Sequence, residues 1–251
     1  MRILTLARDL GRRKARERDA LFVVEGVRAV EELVRSPLEI VGVLAAPKLA
    51  ESVRGVALKD AMAARGVEIS DVSDKEFSSA AETDSPQGVL AIARIPPRSL
   101  EPLRALPTFR LLILDAVQDP GNVGTILRTA AALGATATVT LPGTVDLWNA
   151  KVVRSAMGAH FHHLALSLTW DTVHPFLLET KTPLWAADAK GETLPAAAPP
   201  RLAIAVGNEG GGLSPHVAAV AERLVALPVT SLVESLNVAV ATGILLYQLR
   251  A

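Results

Sequence analysis

From Arg110 onward, short runs of Leu, Ile, Val and Ala alternate with stretches of helical periodicity, and this constrains the 251-residue chain more than any other feature. The runs RLLILD (110–115), ATVTL, HLALSL, PLWAAD, RLAIAVG (201–207) and RLVAL are apolar at nearly every position rather than at every second one. Strands buried on both faces belong to a parallel sheet. The segments near 122–133, 147–157 and 170–180, the stretch after Ser214, and 235–249 read as the helices that cover it. Ligands of such sheets bind beyond the carboxyl ends of the strands. The fold class is α/β.

The first ninety-odd residues repeat the alternation on a smaller scale. LFVVEG (21–26), EIVGVLAA (39–46), VEIS and GVLAIAR (88–94) read as strands. Helices are expected over VRAVEELVRS, over one stretch from Pro47 to Gly66, and over DKEFSSAA. Pro96, Pro97, Pro102 and Pro107 then crowd a segment that can hold neither a central strand nor a continuous helix. The expected organisation is a small α/β domain over 1–95, a stiff linker over 96–108 and a larger α/β domain over 109–251.

Composition narrows the chemistry. Half the residues are apolar, so a large core can form, and cysteine is absent, which excludes disulfides, thiolate zinc sites and cysteine nucleophiles. His160, His162 and His163 lie close together without carboxylates at ligand spacing, so no metal is expected. The start, MRILTLARDLGRRKARERDA, has no apolar run of signal-peptide length, no segment reaches the length of a membrane span, and the expectation is a soluble cytoplasmic protein. Formal net charge is zero, yet Arg8, Arg12, Arg13, Lys14, Arg16 and Arg18 crowd one short stretch, which can supply local phosphate affinity.

Three loops of the second domain carry the chemical signal. In LDAVQDPGNVGTILRTAAALGA, Asp119 is a suitable N-cap with Pro120 at the first helical position, and Asn122 is an alternative cap. Val123, Ile126, Leu127 and Ala130 form the core face of the following helix, and Arg128 lies off that stripe, leaning back toward Gly124 and Gly121. In LAIAVGNEGGGLSP, the glycines at 207 and 210–212 can aim backbone N–H groups into a cavity and let backbone approach a ligand closely. That loop is neither GxxxxGK[ST] nor GxGxxG. In ALPVTSLVESLNVAVATGILLYQLR, Ser235 is a natural N-cap and Asn237 falls in the first turn. Val238, Val240, Ile244, Leu245, Leu246 and Leu249 spread apolar surface around most of this last helix, as at a subunit interface.

Asp119-Pro-Gly-Asn122…Arg128, Gly207-Asn-Glu209-Gly and Pro228…Glu234-Ser235-Leu236-Asn237-Val238, in this order and spacing, resemble the motifs of the SpoU/TrmH family of RNA 2′-O-ribose methyltransferases, which are trefoil-knotted SPOUT enzymes. The resemblance covers essentially all of 107–251. The N-terminal part, through Phe22-Val-Val-Glu25-Gly26 and Thr83-Asp84-Ser85-Pro86-Gln87-Gly88-Val89, more loosely resembles the L30e-like substrate-binding domain of the ribosomal-RNA members, which favours 23S rRNA over tRNA as substrate.

The resemblance implies S-adenosylmethionine as cofactor, held by Gly207, Asn208, Glu209, Gly210, Leu227, Val229 and Leu236. It implies Arg128, Ser235 and Asn237 beside the reacting hydroxyl, with Asn122 in support, and a homodimer built through the C-terminal domain including the 235–249 helix. The family casts the equivalent of Arg128 as a general base. A guanidinium pKa above ~12 argues instead that it binds the adjacent phosphate and stabilises the developing alkoxide. Lys151 and Arg154, in a stretch similar to one near the family's RNA site, join Arg12, Arg13, Lys14 and Arg16 as candidate RNA contacts. Two other readings stand beside this one: a tRNA 2′-O-methyltransferase, and a non-catalytic RNA-binding or ribosome-assembly factor. A nicotinamide-dependent oxidoreductase would require GxGxxG after the first strand, and that pattern is missing.

Overall fold

The computed structural model describes residues 2–230 and 235–250, which divide into two compact units. The first comprises the chain up to Pro97 together with Trp148–His162. Its elements are α1 (Arg2–Asp9), α2 (Arg13–Asp19), β1 (Leu21–Glu25), α3 (Val27–Arg35), β2 (Ile40–Ala45), α4 (Val53–Ala64), β3 (Ile69–Asp71), α5 (Asp74–Ser78) and β4 (Val89–Arg94). The strands form a mixed sheet in the order β1-β4-β2-β3, antiparallel except for the β2/β3 pair. Ile3, Leu4, Leu10, Phe77, Leu90 and Ile92 form much of its core. The single helix expected from Pro47 to Gly66 is in fact two pieces. A 3₁₀ turn covers Pro47–Glu51, Ser52 is extended, and its hydroxyl caps α4 by accepting from Gly55 N at 3.0 Å.

The second unit runs from Arg98 to Leu147 and from His163 onward. It contains α6 (Glu101–Arg104), β5 (Phe109–Leu114), α7 (Pro120–Ala132) and β6 (Ala137–Thr140). After α8 (Ala150–Ser155) and α9 (Ala159–His162), which belong to the first unit, come β7 (Leu164–Ser167), α10 (Trp170–Glu179), β8 (Leu184–Thr193), β9 (Arg201–Val206), α11 (Pro215–Ala218), β10 (Arg223–Ala226) and α12 (Val238–Gln248). All six strands run parallel in the order β10-β8-β9-β5-β6-β7. β5 is buried at every position, as a central strand covered on both faces must be. The α/β reading with a mostly parallel sheet holds.

Two boundaries fall elsewhere than the sequence suggested. The proline-rich segment is not all linker, because Leu100 and Leu103 are buried in the core of the second unit with Phe109 and Phe176. Pro102 sits in the first turn of α6, where a missing N–H costs nothing. The helical stretch near 147–157 leaves its chain neighbours and packs in the first unit, where Phe22 meets Trp148 at 4.5 Å and Phe161 at 6.2 Å between ring centroids. Among the described residues no helix is long and apolar enough to cross a membrane.

Candidate active site

β5 and β9 are neighbours, and the strand order departs from them in opposite directions, β6 and β7 on one side, β8 and β10 on the other. This is the topological switch point, where the loops leaving adjacent strands diverge and open a crevice. Both candidate loops, 115–119 after β5 and 207–214 after β9, leave the sheet here.

Asp119 caps α7 by accepting from Asn122 N at 2.7 Å, with Pro120 at the first helical position, and Val123, Ile126, Leu127 and Ala130 are fully buried. Asn122 is therefore an in-helix residue whose side chain is not spent on capping. Its Nδ2 donates to a Glu209 carboxylate oxygen, and its Oδ1 accepts from Asn237 Nδ2 at 3.0 Å. One hydrogen-bond chain thus joins all three motif loops, over sequence separations of 87 and 115 residues.

The last helix starts two residues later than expected. Asn237, not Ser235, is the N-cap of α12, its Oδ1 accepting from Ala239 N at 2.9 Å and Val240 N at 3.3 Å. Asparagine can do both jobs because its amide presents an acceptor to the helix and a donor to Asn122. Ser235 is exposed nearby, and Glu234 of the third motif lies outside the described residues.

The glycine loop also departs from expectation. The N–H groups of Gly210 and Gly211 do not face a cavity; they donate to Asn208 Oδ1 at 2.8 and 2.9 Å. Asn208 Nδ2 donates to Ala116 O at 3.0 Å, so this side chain is spent on holding the loop rather than on a ligand. Gly207 is required by the loop's own crossing, since a Cβ there would lie 2.3 Å from Gly212 O. Glu209 and Gly210 are exposed, Leu227 and Leu236 half-buried, and Val229 is 42 % exposed. Arg128 is exposed on α7.

The basic residues sort differently than their clustering implied. Arg16 is buried, donating to Leu10 O at 2.7 Å and Gly11 O at 2.9 Å, so its guanidinium closes the α1–α2 turn and is withdrawn from phosphate. Arg12, Arg13 and Lys14 are exposed; Arg12 pairs with Asp9 and Arg13 with Glu17. Arg18 and then Arg12 hold the Asp9 carboxyl below its usual range. Lys151 is exposed, whereas Arg154 is half-buried and its Nη1 is fully covered. Sequence reasoning missed Arg2 and Arg94, which share with Arg8 and Arg12 a groove of about 1140 Å³ in the first unit. Only the β1/β4 register, Leu21 opposite Arg94, brings residue 94 to the amino-terminal helices. The three histidines diverge: His160 and His163 are buried and His162 is exposed.

Fold and site together define an α/β protein whose second unit gathers three polar loops at the switch point of a parallel sheet, joined to a smaller mixed α/β unit. Comparison with known proteins gives the family. Residues 110–247 match the SpoU rRNA Methylase family, and residues 4–91 match the MRM3-like substrate binding domain. The 23S rRNA (guanosine(2553)-2′-O)-methyltransferase RlmP of Bacillus subtilis is 33 % identical over 97 % of this chain and 94 % of its own length. A crystal structure of an RNA 2′-O ribose methyltransferase superposes with a TM-score of 0.82 at 30 % identity, covering 98 % of this chain and 94 % of that one. An AdoMet-bound rRNA methyltransferase from Sinorhizobium meliloti gives 0.81 at 26 % identity, covering 98 % and 93 %. The chain belongs to the SpoU rRNA methylase family.

Proposed function

We propose that this protein transfers the methyl group of S-adenosylmethionine to a ribose 2′-hydroxyl of ribosomal RNA, with 23S rRNA as the first candidate, in the cytoplasm. The observation that carries the reading is the hydrogen-bond chain Glu209–Asn122–Asn237 across the switch point. The donor set fits the cofactor. Leu227, Val229 and Leu236 leave apolar surface uncovered near the carboxyl end of the sheet, suited to an adenosine face, and Glu209 adds a carboxylate beside a half-buried amide. S-adenosylmethionine supplies its own leaving group there, an electrophilic methyl on a sulfonium.

The protein's own work is to orient and to manage charge. Asn122 and Asn237 fix the mouth of the site, and exposed Ser235, two residues before Asn237 in the chain, is the polar contact for the ribose. Arg128 binds the phosphate next to the reacting nucleotide and stabilises negative charge on the 2′-oxygen, keeping its own proton. In the first unit, RNA backbone runs along the groove of Arg2, Arg8, Arg12 and Arg94, with Arg13 and Lys14 beside it, and Lys151 adds a further phosphate contact, whereas half-buried Arg154 has only part of its guanidinium to offer.

The same reading makes the enzyme a knotted homodimer. Val240, Ile244 and Tyr247 of α12 are exposed, and with Thr125, Thr129 and Leu133 of α7 they line a mainly apolar groove of about 560 Å³ that a second copy would cover. Arg128 is exposed on the same helix, α7, off the stripe formed by Thr125, Thr129 and Leu133.

Transfer of labelled methyl from S-adenosylmethionine to unmodified 23S rRNA, 16S rRNA and bulk tRNA tests the proposal, with wild type beside Arg128→Ala. Label is expected on the 2′-oxygen of one rRNA position and at least 100-fold less in the variant. Label on tRNA alone would keep the chemistry and replace the substrate. RNA binding without any transfer would make the protein a non-catalytic factor.

A further inference from the structure

Asp115 follows β5 directly and is 2 % exposed. Its Oδ2 accepts from Ser214 N at 2.6 Å and from Ser214 Oγ at 2.7 Å, and its own N–H donates to Val206 O at 2.9 Å. The next residue, Ala116, lies in the left-handed region at φ 57°, and its carbonyl accepts the Asn208 side chain at 3.0 Å. Two consecutive residues of the β5–α7 loop therefore grip both ends of the 207–214 loop, Ala116 near its start and Asp115 at its exit.

Three local costs meet at this grip. A non-glycine residue held at positive φ is strained. A carboxylate withdrawn from water needs compensating donors, and these come from one serine. Ser214 stands at the N-cap of α11 yet makes no capping hydrogen bond, because its hydroxyl is turned to Asp115. A serine hydroxyl normally stabilises a helix from that position, so the diversion forfeits a contribution that a merely folded loop would keep. The hydroxyl proton points at the carboxylate, which leaves the oxygen to face His216 Nε2 at 3.1 Å as an acceptor. Ser214 is thus not arranged as a nucleophile with His216 as its base. Glu209 lies at the middle of the gripped loop, hydrogen-bonded to Asn122.

We infer that Asp115 and Ser214 form a positioning clip that holds the 207–214 loop in register with the β5–α7 loop, so that Glu209 meets Asn122 before the cofactor binds. The assignment rests on reading the 207–214 loop as part of the S-adenosylmethionine site. Neither residue touches the reacting atoms. Their effect is preorganisation, and loosening the clip makes cofactor binding bear the cost of ordering the loop.

The test uses the full-length protein as wild type, Ser214→Ala, Ser214→Thr and Asp115→Asn. Calorimetry gives Kd for S-adenosylmethionine, initial rates on RNA give KM and kcat, and melting gives Tm. Ser214→Ala is expected to raise Kd and KM for S-adenosylmethionine about tenfold while kcat at saturating cofactor stays within about twofold. Ser214→Thr, which keeps the hydroxyl, restores wild-type values. Asp115→Asn keeps the shape but offers a neutral acceptor, and its Kd falls between the two. A Ser214→Ala protein with lowered Tm and unchanged Kd would overturn the inference, since the contact would then be structural only. Failure of Ser214→Thr to restore Kd would overturn it equally. Wild-type protein that binds no S-adenosylmethionine would instead refute the cofactor reading, and the clip's role with it.

Discussion

At the scale of single residues, the site depends on what an amide can do that a carboxylate cannot. Asn122 donates to Glu209 and accepts from Asn237 at the same time. An aspartate could still accept from Asn237, but it would set a second carboxylate against Glu209 in place of a donor. Asn122→Asp is therefore expected to lower kcat/KM by about 100-fold, further than Asn122→Ala, which removes the donor without adding a charge. Initial rates on both variants distinguish the two effects. A second residue governs stability rather than rate. Burial, with the nearby Arg98 charge adding to it, pushes the His163 imidazole down to about 4, and its Nε2 lies 2.8 Å from Thr138 Oγ1. In the unfolded chain the same group titrates near ~6.5. On acidification the unfolded state takes up the proton first, so this neutral histidine's stability is intact above about pH 6.5 and is lost between about 6.5 and 4. One proton over that window corresponds to about 3 kcal/mol. Denaturant unfolding across pH 4–7 should show this slope in wild type and a shallower one in His163→Gln.

Whole elements were legible where periodicity and capping agree, and misread where a contact from elsewhere in the chain decides. α7 followed from Asp119-Pro120 and the buried stripe Val123, Ile126, Leu127 and Ala130, all of it local information. The helix expected from Pro47 to Gly66 failed because the chain folds back on itself, which propensity cannot register. A Cβ on Gly55 would lie 1.9 Å from Leu49 O, inside the preceding 3₁₀ turn. In an ordinary exposed helix, Gly→Ala stabilises by up to ~1 kcal/mol. Here the sign should invert, and Gly55→Ala should cost at least ~2 kcal/mol in equilibrium unfolding, because a backbone atom cannot yield as a flexible side chain does. α12 shows the converse. Its two-sided apolar pattern was legible, and the structure leaves Val240 at 52 %, Ile244 at 38 % and Tyr247 at 57 % exposure on the face away from Leu245 and Leu246. Ile244→Asp should therefore leave Tm of the monomer nearly unchanged while shifting sedimentation from dimer to monomer. A wild type that sediments as a monomer at micromolar concentration would refute the interface.

For the molecule as a whole, the three polar loops could be singled out from sequence, whereas the hydrogen bonds joining them could not, since Asn122, Glu209 and Asn237 are distant in the chain and only the sheet order brings their loops together. The chain passes between the two units at Pro97/Arg98, inside the proline-rich segment, and again at Leu147/Trp148 and His162/His163, where no proline stands. Proline density marks where a chain stops being regular, but it says nothing about which side a later segment packs on. Residues 148–162 fall between two strands of the second unit and belong to the first, where Phe22, fully buried, lies against Trp148 and Phe161. A chain beginning at Arg98 would keep all six parallel strands and every motif residue, yet it would lose the partners of Trp148, Val152, Val153 and Phe161, all buried in the intact protein. Exposing side chains of that size forgoes ~1.5–3 kcal/mol each and creates an apolar patch that recruits dye or other chains. The truncated chain is expected to bind an apolar dye and to aggregate at tens of micromolar, although its sheet is complete. Replacing Trp148 and Phe161 in that truncated chain by Gln and Ser should restore a soluble species that still binds S-adenosylmethionine. If the unmodified truncation is soluble and binds no dye, the segment is covered by the second unit alone, and the boundary drawn by proline would be the physical one after all.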